Sequence, residues 1–279
     1  MTNKQVDLTM LAAPSSIEKL VWIMSQLRDP QHGCPWDKKQ SYQTIVPYTL
    51  EEAYEVAEAI DKQDYQELEK ELGDLLFQVV FYARIAEEEQ RFDLSSVIDA
   101  ICEKLIRRHP HVFTDQQFAS EREIKANWEN EKAKERVENN QQTSMLDDIP
   151  NALPALMQAT KIQKRCAHVG FDWPDIDGVL DKVKEELAEV ELELSRSQRD
   201  QAALQEELGD LLFAVVNLTR HCQVDAEQAL RHASVKFKQR FAYIERYHQQ
   251  QALDIHQSSL EFLESLWVKA KQHSNSEIS

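Results

Sequence analysis

The chain has 279 residues, room for two domains of ordinary size, and 42% are hydrophobic, so each half can bury a core. A net charge of −17 argues against a surface for DNA or RNA, since a polyanion would be repelled; a small anion remains compatible through a bound cation and local Lys or Arg. Only 5 glycines and 8 prolines leave too few turns for a strand-rich fold, no apolar run approaches the roughly 18 residues of a membrane span, and the N-terminus lacks a signal-peptide apolar core.

Leu, Glu, Gln, Ala and Lys dominate, so the expected fold class is all-α. The first helix is predicted over about residues 16–28, followed by Gly33-Cys-Pro-Trp36. The second is predicted over 47–61, with Pro47 in its first turn, and the third over 65–89, with Asp64 as N-cap and Glu67 as its partner. Further helices are predicted over 94–108 and 121–137. A polar stretch, Val137 to Met145, then lacks helical periodicity and leads to Pro150 and Pro154. Helices resume over 154–167, 176–195, 200–222, 225–248 and 258–272, and Ser274 to Ser279 read as frayed. The expected organisation is a first domain at 1–138, a linker at 139–153 and a second domain at 154–279.

These two sets of helices are a repeat. Arg28, Gly33 and Trp36 keep their spacing in Arg165, Gly170 and Trp173. Glu51-Glu52-x-x-Glu55 returns as Glu185-Glu186-x-x-Glu189, and Glu71-Leu-Gly-Asp74 returns as Glu207-Leu-Gly-Asp210. Lys104 and Arg108 return as Lys236 and Arg240, and Trp128 with Lys132 as Trp267 with Lys271. Gly73 and Gly209 lie inside helical patterns, where glycine costs about 1 kcal/mol against alanine. Close helix packing and room for a ligand both account for them.

Glu52 and Glu55 share a helix face, as do Glu71 and Asp74 on the next helix. The midpoint between Glu55 and Glu71 is Gln63, inside a polar turn, so an antiparallel hairpin brings the four acids together. Glu189 and Glu207 are centred on Gln198 in the same manner. The flanking stripe (Leu72, Leu75, Leu76 and Val79; Leu208, Leu211, Leu212 and Val215) predicts a face turned partly inward. Converging carboxylates repel one another unless a cation sits between them, and hard oxygen ligands suit Mg²⁺ or Mn²⁺. The Lys-x-x-x-Arg pairs suit phosphate, and a Trp one turn before a Lys suits a nucleobase with phosphate beside it.

On these residues the chain resembles the MazG family of nucleoside triphosphate pyrophosphohydrolases, of the all-α NTP pyrophosphatase type. Gly33-Cys-Pro-Trp-Asp37, Arg107-Arg-His-Pro-His-Val-Phe113 and Ile162-Gln-Lys-Arg-Cys166 resemble the two-domain bacterial members. The resemblance implies hydrolysis of NTPs and dNTPs between the α and β phosphates, with Mg²⁺, in a homodimer whose C-terminal half is catalytic. It implies Glu186, Glu189, Glu207 and Asp210 as metal ligands, with Glu52, Glu55, Glu71 and Asp74 as a weaker set. It implies Lys182, Glu185, Lys236, Arg240, Trp267 and Lys271 as nucleotide contacts. Tyr48 stands where Lys182 stands, so the first half lacks one phosphate cation.

Two other readings compete. A di-iron carboxylate protein needs repeated Glu-x-x-His, and Glu245 to His248 is unrepeated. A non-catalytic helical dimer explains the amphipathic helices but not the duplicated acids. A P-loop is absent. The four cysteines lack metal-type spacing and read as reduced thiols in a cytoplasm.

Overall fold

A computed structural model describes residues 8–139, 144–147 and 149–276. The centre of the expected linker (140–143 and 148) and both chain ends lie outside the described residues. Among the described residues the regular structure is helical throughout. The chain divides into two compact units, 1–135 and 136–279, with the division inside the last helix of the first half.

The first unit contains α1 (Leu8–Ala12), α2 (Ile17–Leu27), α3 (Tyr42–Lys62), α4 (Tyr65–Glu88), α5 (Leu94–Arg108), α6 (Pro110–Phe113) and α7 (Glu121–Asn139). α3 and α4 form a long antiparallel hairpin, closed by Gln63 in a left-handed conformation (φ 55°) and by Asp64, which accepts from Glu67 N. Such a cap contributes about 1 kcal/mol. α2 lies against α4, and Met24, Ile45, Val80, Phe81 and Ile85 form the core beneath them. Arg28 enters that core fully bonded: it donates to both oxygens of Glu88 and to the carbonyls of Asp37 and Gln40, tying the 28–40 segment to α4. Arg107 and Arg108 both grip Glu135 on α7, and their hydrogen bonds hold its carboxyl down at about 2.

α3 corrects one expectation. The helix begins at Tyr42, not 47, because Ser41 and Thr44 form a capping box that starts it earlier. Pro47 therefore sits inside the helix, past the first turn. There its missing N–H removes one helical hydrogen bond, which the capping box partly offsets.

The second unit contains α8 (Ala155–His168), α9 (Ile176–Ser195), α10 (Gln201–His221), α11 (Ala226–Gln251) and α12 (Leu260–Ser276). α9 and α10 form the counterpart hairpin, with Asp175 and Asp200 as N-caps; α8 lies against α10 and α11, and α11 pairs with α12. Gly170 turns the chain out of α8 at φ +88°, a conformation that a side chain would strain.

The leucine stripe is not turned inward within the chain. Leu72, Leu76 and Val79 are exposed on α4, and on α10 Leu208 and Val215 are exposed and Leu212 is 61% exposed. Each hairpin is two helices thick, so only one face of α4 or α10 can be covered by α2 or α8. Gly73 and Gly209 share this openness: a Cβ added to either meets nothing within 4 Å, so neither serves close packing in this chain.

Candidate active site

Both hairpins bring their acids together. In the second unit, carboxylate oxygens of Glu186, Glu207 and Asp210 lie within 4.8 Å of one another; in the first, those of Glu52, Glu55 and Glu71 do. The remaining acid of each set faces the same place. Desolvation and then the charges of Glu186 and Glu207 push the Glu189 carboxyl up. Desolvation and then the charge of Asp74 push up Glu52, and desolvation and then Glu55 push up Glu71. These shifts are the signature of negative charge held together against its own repulsion.

Glu186 is the deepest of the acids, at 5% exposure. Lys182, one turn earlier on α9, donates to its Oε1 at 2.6 Å and to Glu185 at 2.9 Å. The two carboxylates hold the Lys182 ammonium charged well above its usual range. Oε2 of Glu186 is buried with no hydrogen-bond partner. A buried carboxylate oxygen in that state is costly, and a divalent cation is the partner that would satisfy it. The donor set is all carboxylate, which fits Mg²⁺ or Mn²⁺. No histidine joins either acid group among the described residues, and buried His248 has its ring nitrogens engaged by Ile244 O and Ser258 Oγ. The di-iron reading therefore loses its histidine.

Beside these acids a cavity of about 330 Å³ opens between α8, α9 and α10. Lys182, Glu186 and Asp210 form part of its wall, and Ile162, Val179, Phe213, Phe171 and Trp173 make the rest largely apolar. Trp173 is seated by Gly178: a Cβ there would fall 2.4 Å from the indole Cδ1. The 171–173 segment is fastened to α10 by Asp172, which accepts from Arg220 and, at 3.0 Å, from His221. Burial alone would raise the Asp172 carboxyl, but those two bonds outweigh it and hold it low.

The other anticipated nucleotide contacts lie elsewhere in the unit. Arg240 on α11 places its guanidinium 5.8 Å from the Trp267 ring, which also meets Phe237 at 4.8 Å. Lys236 and Lys271 are exposed on the same helix pair, and none of the four lines the cavity. The Arg240 Nε is buried without a hydrogen-bond partner. In the first unit Lys132 lies 5.5 Å over Trp128, and Tyr48, in the Lys182 position, meets Trp36 edge-on at 5.8 Å.

Sequence reasoning missed Gln163, Asp172, Gly178, Asn217 and Arg220 as parts of this cavity's wall or support. A lone polar residue in a helical pattern reads as a solvated position. The available signal was the repeat itself, which breaks at several of them.

The profile of the MazG nucleotide pyrophosphohydrolase domain matches residues 40–113 and 176–244, segments that contain both acid hairpins. The nucleoside triphosphate pyrophosphohydrolase of Escherichia coli K12 is 53% identical over 92% of this chain and 98% of its own length. The chain belongs to the MazG family. A Thermotoga maritima relative, the nucleoside triphosphate pyrophosphohydrolase/pyrophosphatase MazG, is 44% identical over 91% of this chain and 95% of its own. A solved mazG-related protein from the same organism is 34% identical over 42% of this chain and 99% of its own, with a TM-score of 0.37. In this MazG chain the matched segments hold every acid of both sets, together with Lys182, Lys236 and Arg240, whereas Trp267 and Lys271 lie beyond them.

Proposed function

We propose that the chain hydrolyses nucleoside and deoxynucleoside triphosphates, ATP included, to the monophosphate and pyrophosphate in a Mg²⁺-dependent reaction, with Mn²⁺ as a substitute. The observation that carries this reading is the unpartnered, buried Oε2 of Glu186, set beside Glu207 and Asp210 at the mouth of a cavity. The names and near-complete coverage of the E. coli and T. maritima relatives support it.

Glu186, Glu189, Glu207 and Asp210 would hold the cation, which would draw charge from the α-phosphorus and orient the attacking water. A neighbouring carboxylate, Glu185 or Glu189, would take the proton as the water oxygen bonds to phosphorus. The bond to the α–β bridging oxygen breaks, and its electron pair leaves with pyrophosphate. Lys182 would exchange its carboxylate partner for a phosphate oxygen, and Lys236, Arg240 and Lys271, on helices outside the cavity wall, would reach the departing group from its open side. Trp267 contacts the nucleotide beside them.

We assign a homodimer, in which a second copy would cover the leucines exposed on α4 and those exposed on α10. No helix among the described residues is long and apolar enough to cross a membrane, and the four cysteines are free, in keeping with the cytoplasmic location we assign.

The direct test is a panel of NTPs and dNTPs with Mg²⁺ and identified products. Monophosphate and pyrophosphate in equal amounts are expected. Diphosphate plus phosphate would overturn the reading, and no turnover of any NTP would favour a non-catalytic helical dimer. A further expected result concerns Gly178→Ala. The added methyl displaces the Trp173 indole from the cavity wall, raising KM several-fold, while thermal stability changes by only about 1 kcal/mol because the indole is partly exposed. Steady-state kinetics and a thermal melt check this; an unchanged KM would remove Trp173 from the binding wall.

A further inference from the structure

Helices α5 and α7 of the first unit carry a basic cluster that the hydrolytic reading does not use. Its Lys104 and Arg108 repeat as Lys236 and Arg240, and its Trp128 and Lys132 as Trp267 and Lys271. In the second unit this set is open. The Arg240 guanidinium lies 5.8 Å from the Trp267 ring, its Nε is buried without a hydrogen-bond partner, and no carboxylate pairs with it among the described residues. In the first unit the set is closed. Glu135, one turn beyond Lys132 on α7, accepts at Oε1 from Arg107 Nη2 and Arg108 Nε, and at Oε2 from Arg108 Nη2. The same spacing in the second half falls on Ser274, and Gln239 stands in the place of Arg107.

This contact differs from an ordinary surface ion pair. The Arg108 and Glu135 side chains are only 17% and 16% exposed, and the carboxylate sets both oxygens across the fork of Arg108, the arrangement a guanidinium gives a phosphate. The two arginines hold the Glu135 carboxyl down at about 2, so it does not leave by protonation near neutral pH. Positive charge also exceeds what Glu135 cancels. Two guanidiniums meet one carboxylate, and Lys132, bonded to Glu129 at 2.7 Å, holds its ammonium 5.5 Å from the Trp128 ring. Beside them Trp128 Nε1 and His111 Nδ1 are buried without hydrogen-bond partners. Both belong to a ring cluster in which His109 meets Trp128 edge-on at 4.9 Å and lies 5.8 Å from His111. An indole N–H can only donate, so what the cluster lacks is an acceptor. In a chain of net charge −17, a local surplus of cations and an unused donor suit an anion, and a pyrophosphate group has the oxygens and the charge to replace the carboxylate.

We propose that Arg107, Arg108, Lys132 and Trp128 form a phosphate-binding site in the first half, and that Glu135, the chain's own carboxylate, occupies this site and keeps it shut. The ligand class rests on the hydrolytic reading above, but binding of inorganic pyrophosphate tests the site without catalysis. The full chain carrying Lys236→Ala and Arg240→Ala, which removes the matching groups of the second half, is titrated calorimetrically with pyrophosphate in metal-free buffer and sets the baseline. Adding Glu135→Gln tightens binding at least about tenfold, the factor that one charge-assisted hydrogen bond supplies, and pyrophosphate then raises the melting temperature of that variant. Adding Arg108→Gln as well abolishes the gain. A folded Glu135→Gln variant that binds no more tightly than the baseline overturns the proposal and leaves Glu135 as a strap between α5 and α7. Glu135→Asp keeps an ion pair, and with it the fold, while withdrawing the carboxylate by one methylene. It binds pyrophosphate more tightly than the baseline and less tightly than Glu135→Gln; baseline binding by Glu135→Asp overturns the proposal even where Glu135→Gln does not fold. Pyrophosphate binding by Glu135→Gln, with no triphosphate hydrolysed by the wild type, would instead sink the catalytic reading and leave the site standing.

Discussion

Asp210→Ala will lower triphosphate turnover by at least about 1,000-fold, equivalent to roughly 4 kcal/mol of barrier, whereas Glu52→Ala will reduce it little. Asp210 shares its cluster with Glu186 and Glu207 and borders the cavity. It is also exposed, so its loss leaves the fold intact. Glu186→Ala should be equally inactive but is the poorer variant, because it deprives the half-buried Lys182 of its nearest carboxylate and mixes stability with chemistry. Glu52 belongs to a cluster whose neighbouring volume holds Gln78 and Phe81 and whose phosphate cation is replaced by Tyr48. Steady-state rates for the three variants, with melting curves alongside, provide the check. Equal losses from both clusters would refute the asymmetry between the halves.

Lys182→Met will reduce kcat/KM by about 100-fold, the scale seen when one preorganised donor to developing phosphate charge is removed. Its proton is held by Glu186 and Glu185, so it stays cationic throughout the working pH range. Lys182 and the cation share Glu186, the ammonium on Oε1 and the cation on the open Oε2, so each lowers the negative charge that the other meets. Removing it should therefore leave Mn²⁺ affinity unchanged or raised while nucleotide affinity falls. Lys182→Arg restores the charge with a different shape and should recover part of the rate. A fall in Mn²⁺ affinity in Lys182→Met would instead make Lys182 a positioning residue for Glu186.

Local rules carried most of the fold. Asp64, Asp93, Asp175, Asp200 and Asp225 each cap a helix near its expected start, because a short acidic side chain at that position satisfies free N–H groups wherever it occurs. The acid clusters were legible for a related reason: equal distances from a turn fix which residues face one another. Pro47 misled because the Ser41–Thr44 box, a weaker pattern to the eye, sets the true start. The leucines of α4 and α10 misled because apolar periodicity reports that a face is to be covered and not what covers it. The cavity was least visible. It depends on Ala214 and Asn217 being smaller than Gln78 and Phe81, a difference that acquires meaning only once the hairpins are superposed residue for residue.

The two hairpins close through turns of unequal length, Gln63–Asp64 in one and Arg196–Asp200 in the other, yet each gathers its own acids at one point within its unit. Register is thus a property of the helix pair and its caps, and the connector is free to vary. The exposed Arg196–Asp200 bend is a natural place to graft a spectroscopic label or a short affinity tag, since extra chain inserted ahead of the Asp200 cap would extend into solvent without pulling Glu189 and Glu207 out of step.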